Sequence, residues 1–451
     1  MLSLILSPRI RSAAHCLVLQ ACLVALGLAA CGSTDTGSQP GENPPAVQVP
    51  EARSDKQRIT DPAVDSADVL TLASDNLGFG LDLYHALSAT ETGNLFYSPH
   101  SISIALAMTY GGARANTAAQ MNDSLHFTLA DELLHPAFNA LDLALASRGQ
   151  TVPTGEDGDP FRLHITDALW GRVESEFKAD FLDLLALNYG AGIKLLDFVG
   201  ATEESRQTIN DWVAEQTEDK IKDLLPPGSI DGDTRLVLTN AIYFNASWLN
   251  PFDPSRTTAA DFHRLDGSAV TAQMMSYGEV SPMPYGEGDG YKAVALPYVG
   301  DELSMLVVIP EVEAFATVEQ SLSQSFVDDV VLGLSVGDFV DLHLPKFRIE
   351  SSFSVKQALL TLGMTDPFSP GLADFSGIID FPTFISNVIH KSFVSVDEKG
   401  TEAAAATAVI ITDTGMPEVT TLTVDRPFFF FIRDNATGAV LFFGRVLDPS
   451  A

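Results

Sequence analysis

The segment Val396–Thr412, VDEKGTEAAAATAVIIT, constrains the fold of this 451-residue chain more than any other, because it joins the properties of an exposed loop to those of a central β-strand. Gly400 gives the backbone freedom to turn. Beyond it, Thr401, Ala403, Ala405, Thr407, Val409 and Ile411 recur at period two and none is charged, while the other face holds Glu402, Ala404, Ala406, Ala408 and Ile410. No proline falls between Gly400 and Met416, so every backbone N–H there is available to a sheet ladder. Small side chains let such a strand slide between two existing ones. Alanine is also the best helix former, so periodicity alone leaves a helix as the competing reading.

The surrounding residues decide between them. Glu398-Lys399-Gly400-Thr401-Glu402 with its alanine run resembles the reactive-loop hinge of the serpin family, and Asp425-Arg426-Pro427 leading through Phe428–Phe431 to Arg433, Gly438 and Leu441–Val446 resembles its C-terminal signature. Upstream, Asn94–Ile102 leading to Ala105–Met108 and Gly111-Gly112-Ala113 is similar to the first buried helix of the family and its approach. Leu238–Phe244 with Trp248 and Phe252 resembles its central strand, and Ser304–Pro310, Leu344–Phe347, Leu362-Gly363-Met364 and Ala373–Gly377 add further matches in family order. The resemblance runs from about residue 71 to the C-terminus.

That resemblance implies an α+β fold with three β-sheets, about nine helices and an exposed reactive loop. It implies a suicide-substrate inhibitor of serine or cysteine endopeptidases rather than an enzyme, and the reactive bond, fourteen residues past the hinge glycine, is Thr414–Gly415. Asp413 and Met416 are the alternatives if the loop length differs. A threonine suits the small uncharged pockets of elastase-like and subtilisin-like proteases, whereas trypsin-like targets are disfavoured because Gly400–Asp425 contains no Lys or Arg. By similarity Ser98, Ser101, Asn240 and His390 form a buried hydrogen-bond cluster beneath the central sheet, and Trp248 sits where insertion begins. One departure is Asn245-Ala246-Ser247 before Trp248, where many members have Lys-Gly, which puts the usual charge contact there in doubt. A non-inhibitory member, acting as a binding or structural module, is the alternative; its mark is a hinge disrupted by charged, bulky or proline residues, and this hinge is intact.

The residues themselves agree with a partner-supplied chemistry. The nine histidines are scattered, with no HExxH, and neither a GxSxG elbow nor a phosphate loop is found. Gly286-Glu287-Gly288-Asp289-Gly290 lacks a following helical pattern and reads as a surface turn. No cofactor or metal is expected. With 26 basic against 59 acidic residues the net charge is −33, which repels phosphate backbones and argues against nucleic acid. Asp131–Ser147 contains no Lys or Arg, so a polyanion-binding helix is not expected there. Helical spacing over Ser205–Ile221 and β-rich runs at Arg235–Asn245, Leu303–Ile309, Asp338–Phe347 and Phe428–Ile432 suit the α+β class.

Three cysteines, Cys16, Cys22 and Cys31, all precede the globular part, so no disulfide framework is expected in it. Residues 1–30 read as a lipoprotein signal peptide, with Arg9 and Arg11 before an apolar run that ends in Leu28-Ala29-Ala30-Cys31-Gly32 and resembles a bacterial lipobox. Cys31 is the expected lipidation site, and two or more acyl chains hold a protein to a membrane stably. Residues 31–68, rich in Gly, Pro, Ser, Thr and Asp, are expected to be a disordered tether. The domain is then 69–451, a monomer at the bacterial cell envelope.

Overall fold

The computed structural model describes residues 49–150, 161–277, 281–401 and 419–451. In chain order its elements are β1 (Glu51–Ala52), α1 (Ser66–Ser88), β2 (Leu95–Tyr97), α2 (Pro99–Tyr110), α3 (Ala115–Ser124), α4 (Asp131–Ala146), β3 (Arg162–Arg172), α5 (Ala179–Tyr189), β4 (Ile193–Leu196), α6 (Thr202–Gln216) and β5 (Leu236–Ser247). Then follow β6 (Thr258–His263), β7 (Ala269–Ser276), β8 (Ser281–Gly288), β9 (Tyr291–Pro297), β10 (Leu303–Pro310), α7 (Phe315–Ser321), α8 (Gln324–Leu332), β11 (Ser335–Pro345), β12 (Phe347–Ser354) and α9 (Lys356–Thr361). The chain closes with β13 (Asn387–Val396), β14 (Gly400–Thr401), β15 (Val419–Thr423), β16 (Phe428–Asp434) and β17 (Val440–Val446).

The first sheet has the order β1-β4-β3-β5-β14-β13-β12. Both of its faces are covered. On one, Ala168 and Trp170 of β3, Val237 and Ala241 of β5 and Ile389 of β13 pack with Ile209 and Val213 of α6. On the other, Leu169, Leu238, Ile242, Phe244, Val388 and Val394 join the main core with α2. A sheet buried on both sides needs near-continuous apolar strands rather than alternation, which is why β5 reads as an almost unbroken buried run. All twelve residues of α2 are buried, including His100, Ser101, Ser103 and Thr109, so it is enclosed on every side rather than laid on the surface.

The second and third sheets expected from the sequence form one ten-stranded sheet among the described residues. β8 continues into β11 through a register shift between Ser335 and Asp338, and β15 pairs in parallel with β11. The Phe428–Phe431 run is fully buried as β16, between β10 and β17. The Gly286–Gly290 stretch is the β8–β9 hairpin, where Gly290 has φ +76°.

The expected tether needs a shorter boundary. Glu51 and Ala52 pair with Lys194 and Ile193 at the edge of the first sheet, Lys56 Nζ lies 2.8 Å from Asp183, and Arg58 reaches Asn139 at 2.7 Å and Asp142 at 2.6 Å. Ile59 is fixed through both backbone groups, its N–H to Leu187 O (2.9 Å) and its C=O to the Asn139 amide (2.7 Å). This strap has no apolar periodicity because polar side chains and the backbone anchor it. The first helix then starts at Ser66, ahead of the expected domain boundary at 69.

Candidate functional site

The site is the seam between β5 and β13. The two strands run parallel and pair from Asn387↔Val237 to Ser392↔Ile242. Further along, at the end near Trp248, β14 lies between them and is antiparallel to both, with Gly400 opposite Ser247 and Thr401 opposite Ala246 and Val396. The chain has therefore already placed two of the hinge residues, Gly400 and Thr401, inside the sheet, where the loop was expected to be exposed.

Local chemistry explains this wedge. A Cβ on Gly400 would lie 2.2 Å from Ala246 O and 2.8 Å from Ser247 Cα, so close approach of two backbones, not a positive φ, requires glycine here. Thr401 is fully buried, and its hydroxyl lies 2.8 Å from the Tyr298 hydroxyl. Burial pushes the Tyr298 phenol up, with a smaller opposing effect of Thr401, so it stays protonated. Tyr298 stacks on Trp248 with centroids 4.6 Å apart, and Trp248 is tied to the turn before the wedge, its Nε1–H donating to Asp397 O (3.0 Å) and its N–H to Lys399 O (2.9 Å).

Glu398 anchors the approach. Its carboxylate meets Lys346 Nζ at 2.6 Å and accepts from Thr257 Oγ1 at 2.6 Å. Burial pushes this carboxyl up, but Lys346, Thr257 and its own backbone N–H outweigh that and hold it below the usual carboxylate range. Asn245-Ala246-Ser247 carries no cation, and the cation that meets Glu398 is Lys346, a residue remote in sequence that packs alongside because β12 begins at Phe347.

The closed part of the seam has its own fastening. Ser98 caps α2, accepting at 3.1 Å from the Ser101 N–H with Pro99 in the first turn. That cap presents Ser98 and Ser101 beneath the sheet. His390 Nε2 accepts from the Ser98 N–H at 3.2 Å, which leaves Nδ1–H to donate across the seam to Asn240 Oδ1 at 2.5 Å. The Asn240 amide in turn donates to Ser101 Oγ and, at 2.6 Å, to Asp167 Oδ1, which also accepts from Ser101 Oγ at 3.1 Å. Burial holds His390 down at about 3, so it is neutral, and burial pushes the Asp167 carboxyl well up against smaller opposing effects of Ser101 and Asn240.

Ser98, Ser101, Asn240 and His390 are thus brought together, while Trp248, Glu398, Gly400 and Thr401 gather at the wedge. Glu402, Ala403, Ala404, Ala405, Ala406, Asp413, Thr414, Gly415, Met416 and Cys31 lie outside the described residues. Asp167 and Tyr298 were not picked out from the sequence, and Lys346 entered only within the Leu344–Phe347 match, with no role given to it. Asp167 had a readable signal: Leu163, Ile165, Asp167 and Leu169 share one face of β3, and an acid in that apolar series asks for a donor. Among the described residues no group of three or more His, Cys, Asp or Glu could hold a metal ion. Nor is any helix there long and apolar enough to cross a membrane.

A family model described as Serpin (serine protease inhibitor) matches residues 74–449. Serpin B6 of Macaca fascicularis is 39% identical over 382 residues, covering 84% of this chain and 99% of that protein. The leukocyte elastase inhibitor of Homo sapiens is 38% identical over 387 residues, with 84% and 99% covered. The native-state crystal structure of the thermophilic serpin Tengpin superposes with a TM-score of 0.76 at 29% identity, covering 89% of this chain and all of that one.

Proposed function

The chain belongs to the serpin family, and from that premise we propose that it is a suicide-substrate inhibitor of serine endopeptidases which traps its target by drawing its own loop into the first sheet. The observation that carries this reading is β14, a strand of two residues lodged between β5 and β13 and antiparallel to both. Residues that follow Thr401 first fill the parted stretch and, from the level of Ser392 and Ile242 on, each replaces one parallel pairing of β5 with β13 by two antiparallel ones, and antiparallel pairing is slightly the stronger per residue. About a dozen inserted residues make on the order of ten net backbone hydrogen bonds worth roughly 1 kcal/mol each. The intact form is then held by a barrier rather than by its depth.

The protease supplies the chemistry. Its serine Oγ attacks the Thr414 carbonyl, the Thr414–Gly415 bond breaks, the amine of Gly415 leaves with the proton passed on by the protease histidine, and an ester remains. Cleavage frees the hinge, the loop enters the seam, and the attached protease is carried along and distorted before water reaches the ester. Cysteine endopeptidases, which form the equivalent thioester, are open to the same trap. Thr414 favours elastase-like or subtilisin-like targets, and the name of the human relative, an elastase inhibitor, supports the first of these. Incubation with such proteases should give an adduct that survives denaturing electrophoresis and release a peptide starting at Gly415; clean cleavage with no adduct across a broad panel rejects the inhibitory reading.

In the same reading the protein is a monomer at a bacterial cell envelope, lipidated on Cys31, with residues up to 48 as spacer. Cys31→Ser should shift it from the membrane to the soluble fraction or leave it unprocessed. Unchanged partitioning and processing reject the anchor.

A further inference from the structure

Asp167 stands one strand away from the seam: β3 lies on the far side of β5 from β13, yet Asp167 ends a chain of hydrogen bonds that bridges those two strands. The donor directions along that chain are fixed from its other end. The backbone N–H of Ser98 can only donate, so His390 Nε2 is the acceptor and Nδ1 carries the proton of the neutral ring. Asn240 must then turn its oxygen to His390 and its NH₂ to Asp167 Oδ1 and Ser101 Oγ.

Asp167 Oδ1 accepts from both Asn240 and Ser101, so any proton on the carboxyl sits on Oδ2 and Oδ1 remains an acceptor. Were the Asn240 amide flipped, its NH₂ would face the His390 N–H, donor to donor, and its oxygen would face Asp167 Oδ1, acceptor to acceptor. The bond across the seam would be lost and a clash would stand in its place. We propose that Asp167 is a positioning residue for the loop-insertion step: by fixing the Asn240 amide it keeps the middle of the seam shut until the loop is cut.

This inference rests on the insertion reading above. It also separates Asp167 from an ordinary packing residue. Once a strand occupies the seam, β5 and β13 stand two strand spacings apart, about 10 Å, and Asn240 can no longer reach His390. Asp167 therefore sets the rate of opening of the intact molecule and adds nothing through this bond to the cleaved one.

The test uses the full chain with Asp167→Leu, which removes the acceptor at similar volume, and Asp167→Asn, whose amide oxygen can replace it. Each is held warm and sampled for spontaneous insertion of the uncut loop, read as loss of loop cleavage by an added protease, and the melting temperature of the loop-cleaved form is measured. Asp167→Leu should convert about tenfold faster than the parent, for one seam-closing hydrogen bond, while Asp167→Asn stays within about threefold and all cleaved forms melt together. In a His390→Ala background Asp167→Leu should add nothing. Parent-like conversion of Asp167→Leu overturns the inference, as do equal acceleration by Asp167→Asn, an equal loss in cleaved and intact forms, or an undiminished effect without His390. If Asp167→Leu does not accumulate folded, Asp167→Val decides by the same readings. A cleaved parent that melts no higher than the intact parent instead sinks the insertion reading itself.

Discussion

Near Trp248 the seam between β5 and β13 is parted by Gly400 and Thr401, whereas four residues along β5, from Ala246 back to Ile242, it is a closed parallel ladder. The parted end is lined by stacked rings and hydroxyls, with Tyr298 against Trp248 and against Thr401. The closed middle is fastened by a directed hydrogen-bond chain, from His390 through Asn240 to Asp167. Apolar stacking tolerates a guest strand of small residues, because it is not directional. A buried hydrogen-bond chain does not, because each group it releases needs a new partner. For the proposed insertion, the difference teaches where the barrier lies: the entrance is already occupied, and the resistance sits in the middle.

The strongest way to break this comparison is to cut the loop. If the closed middle is the barrier, the cut molecule should gain on the order of 10 kcal/mol and melt roughly 20 °C or more above the intact one by calorimetry. A cleaved form that melts with the intact form means that the parted end is a static feature.

Acid comes next in size. His390 is held at about 3 and His100 and His135 at about 4, each by burial, against an ordinary value of 6.5. The folded molecule binds fewer protons on these groups than the unfolded chain, so their stability is complete above about pH 6.5 and is lost as pH falls toward 4. Near pH 5 each costs about 2 kcal/mol, and denaturant midpoints of the intact form should fall steeply between pH 6.5 and 4. His390→Gln should flatten that slope by about one third.

At the entrance, Lys346→Ala leaves Glu398 buried without its cation. Lys346 is itself partly exposed, so the loss should be about 2 kcal/mol in urea unfolding of the intact form. Because the Glu398 carboxyl is held below its ordinary value, the parent's advantage over Lys346→Ala should be present above about pH 4.5 and vanish as pH falls below it. The smallest change is Tyr298→Phe, which removes the bond to Thr401 and should cost about 1 kcal/mol. Hydrogen exchange should then rise at the Thr401 amide and stay unchanged at Ile389–Ser392. Equal rises at both places would merge the two ends into one cooperative unit.

The parts of this site legible in the sequence were those that recur locally. The glycine-led hinge, the Ser98-Pro99 start of a buried helix and the buried run of β5 each declare themselves within a dozen residues. Pairings between remote positions did not: the cluster of Ser98, Ser101, Asn240 and His390 was expected only through the family resemblance. Lys346 reaches Glu398 because β12 packs beside β13, and nothing near either residue announces it. The strap at 49–64 read as tether for the same reason, since its holds on Asp183, Asn139 and Asp142 are side-chain contacts spread over two helices. Gly400 was read as a turn residue, and only the nearness of Ala246 O reveals it as a spacer between backbones.

The pairing of Glu51 and Ala52 with β4 has a further consequence, for encounters between molecules. An uncovered edge strand offers its N–H and C=O groups to any extended segment that drifts past. Here Glu51 and Ala52 lie along the outer side of β4, and Leu195 N–H is met by Pro50 O at 2.7 Å. On that flank the sheet meets a neighbouring copy with part of its edge already taken, so self-association is steered away from one of the two borders at which it could begin.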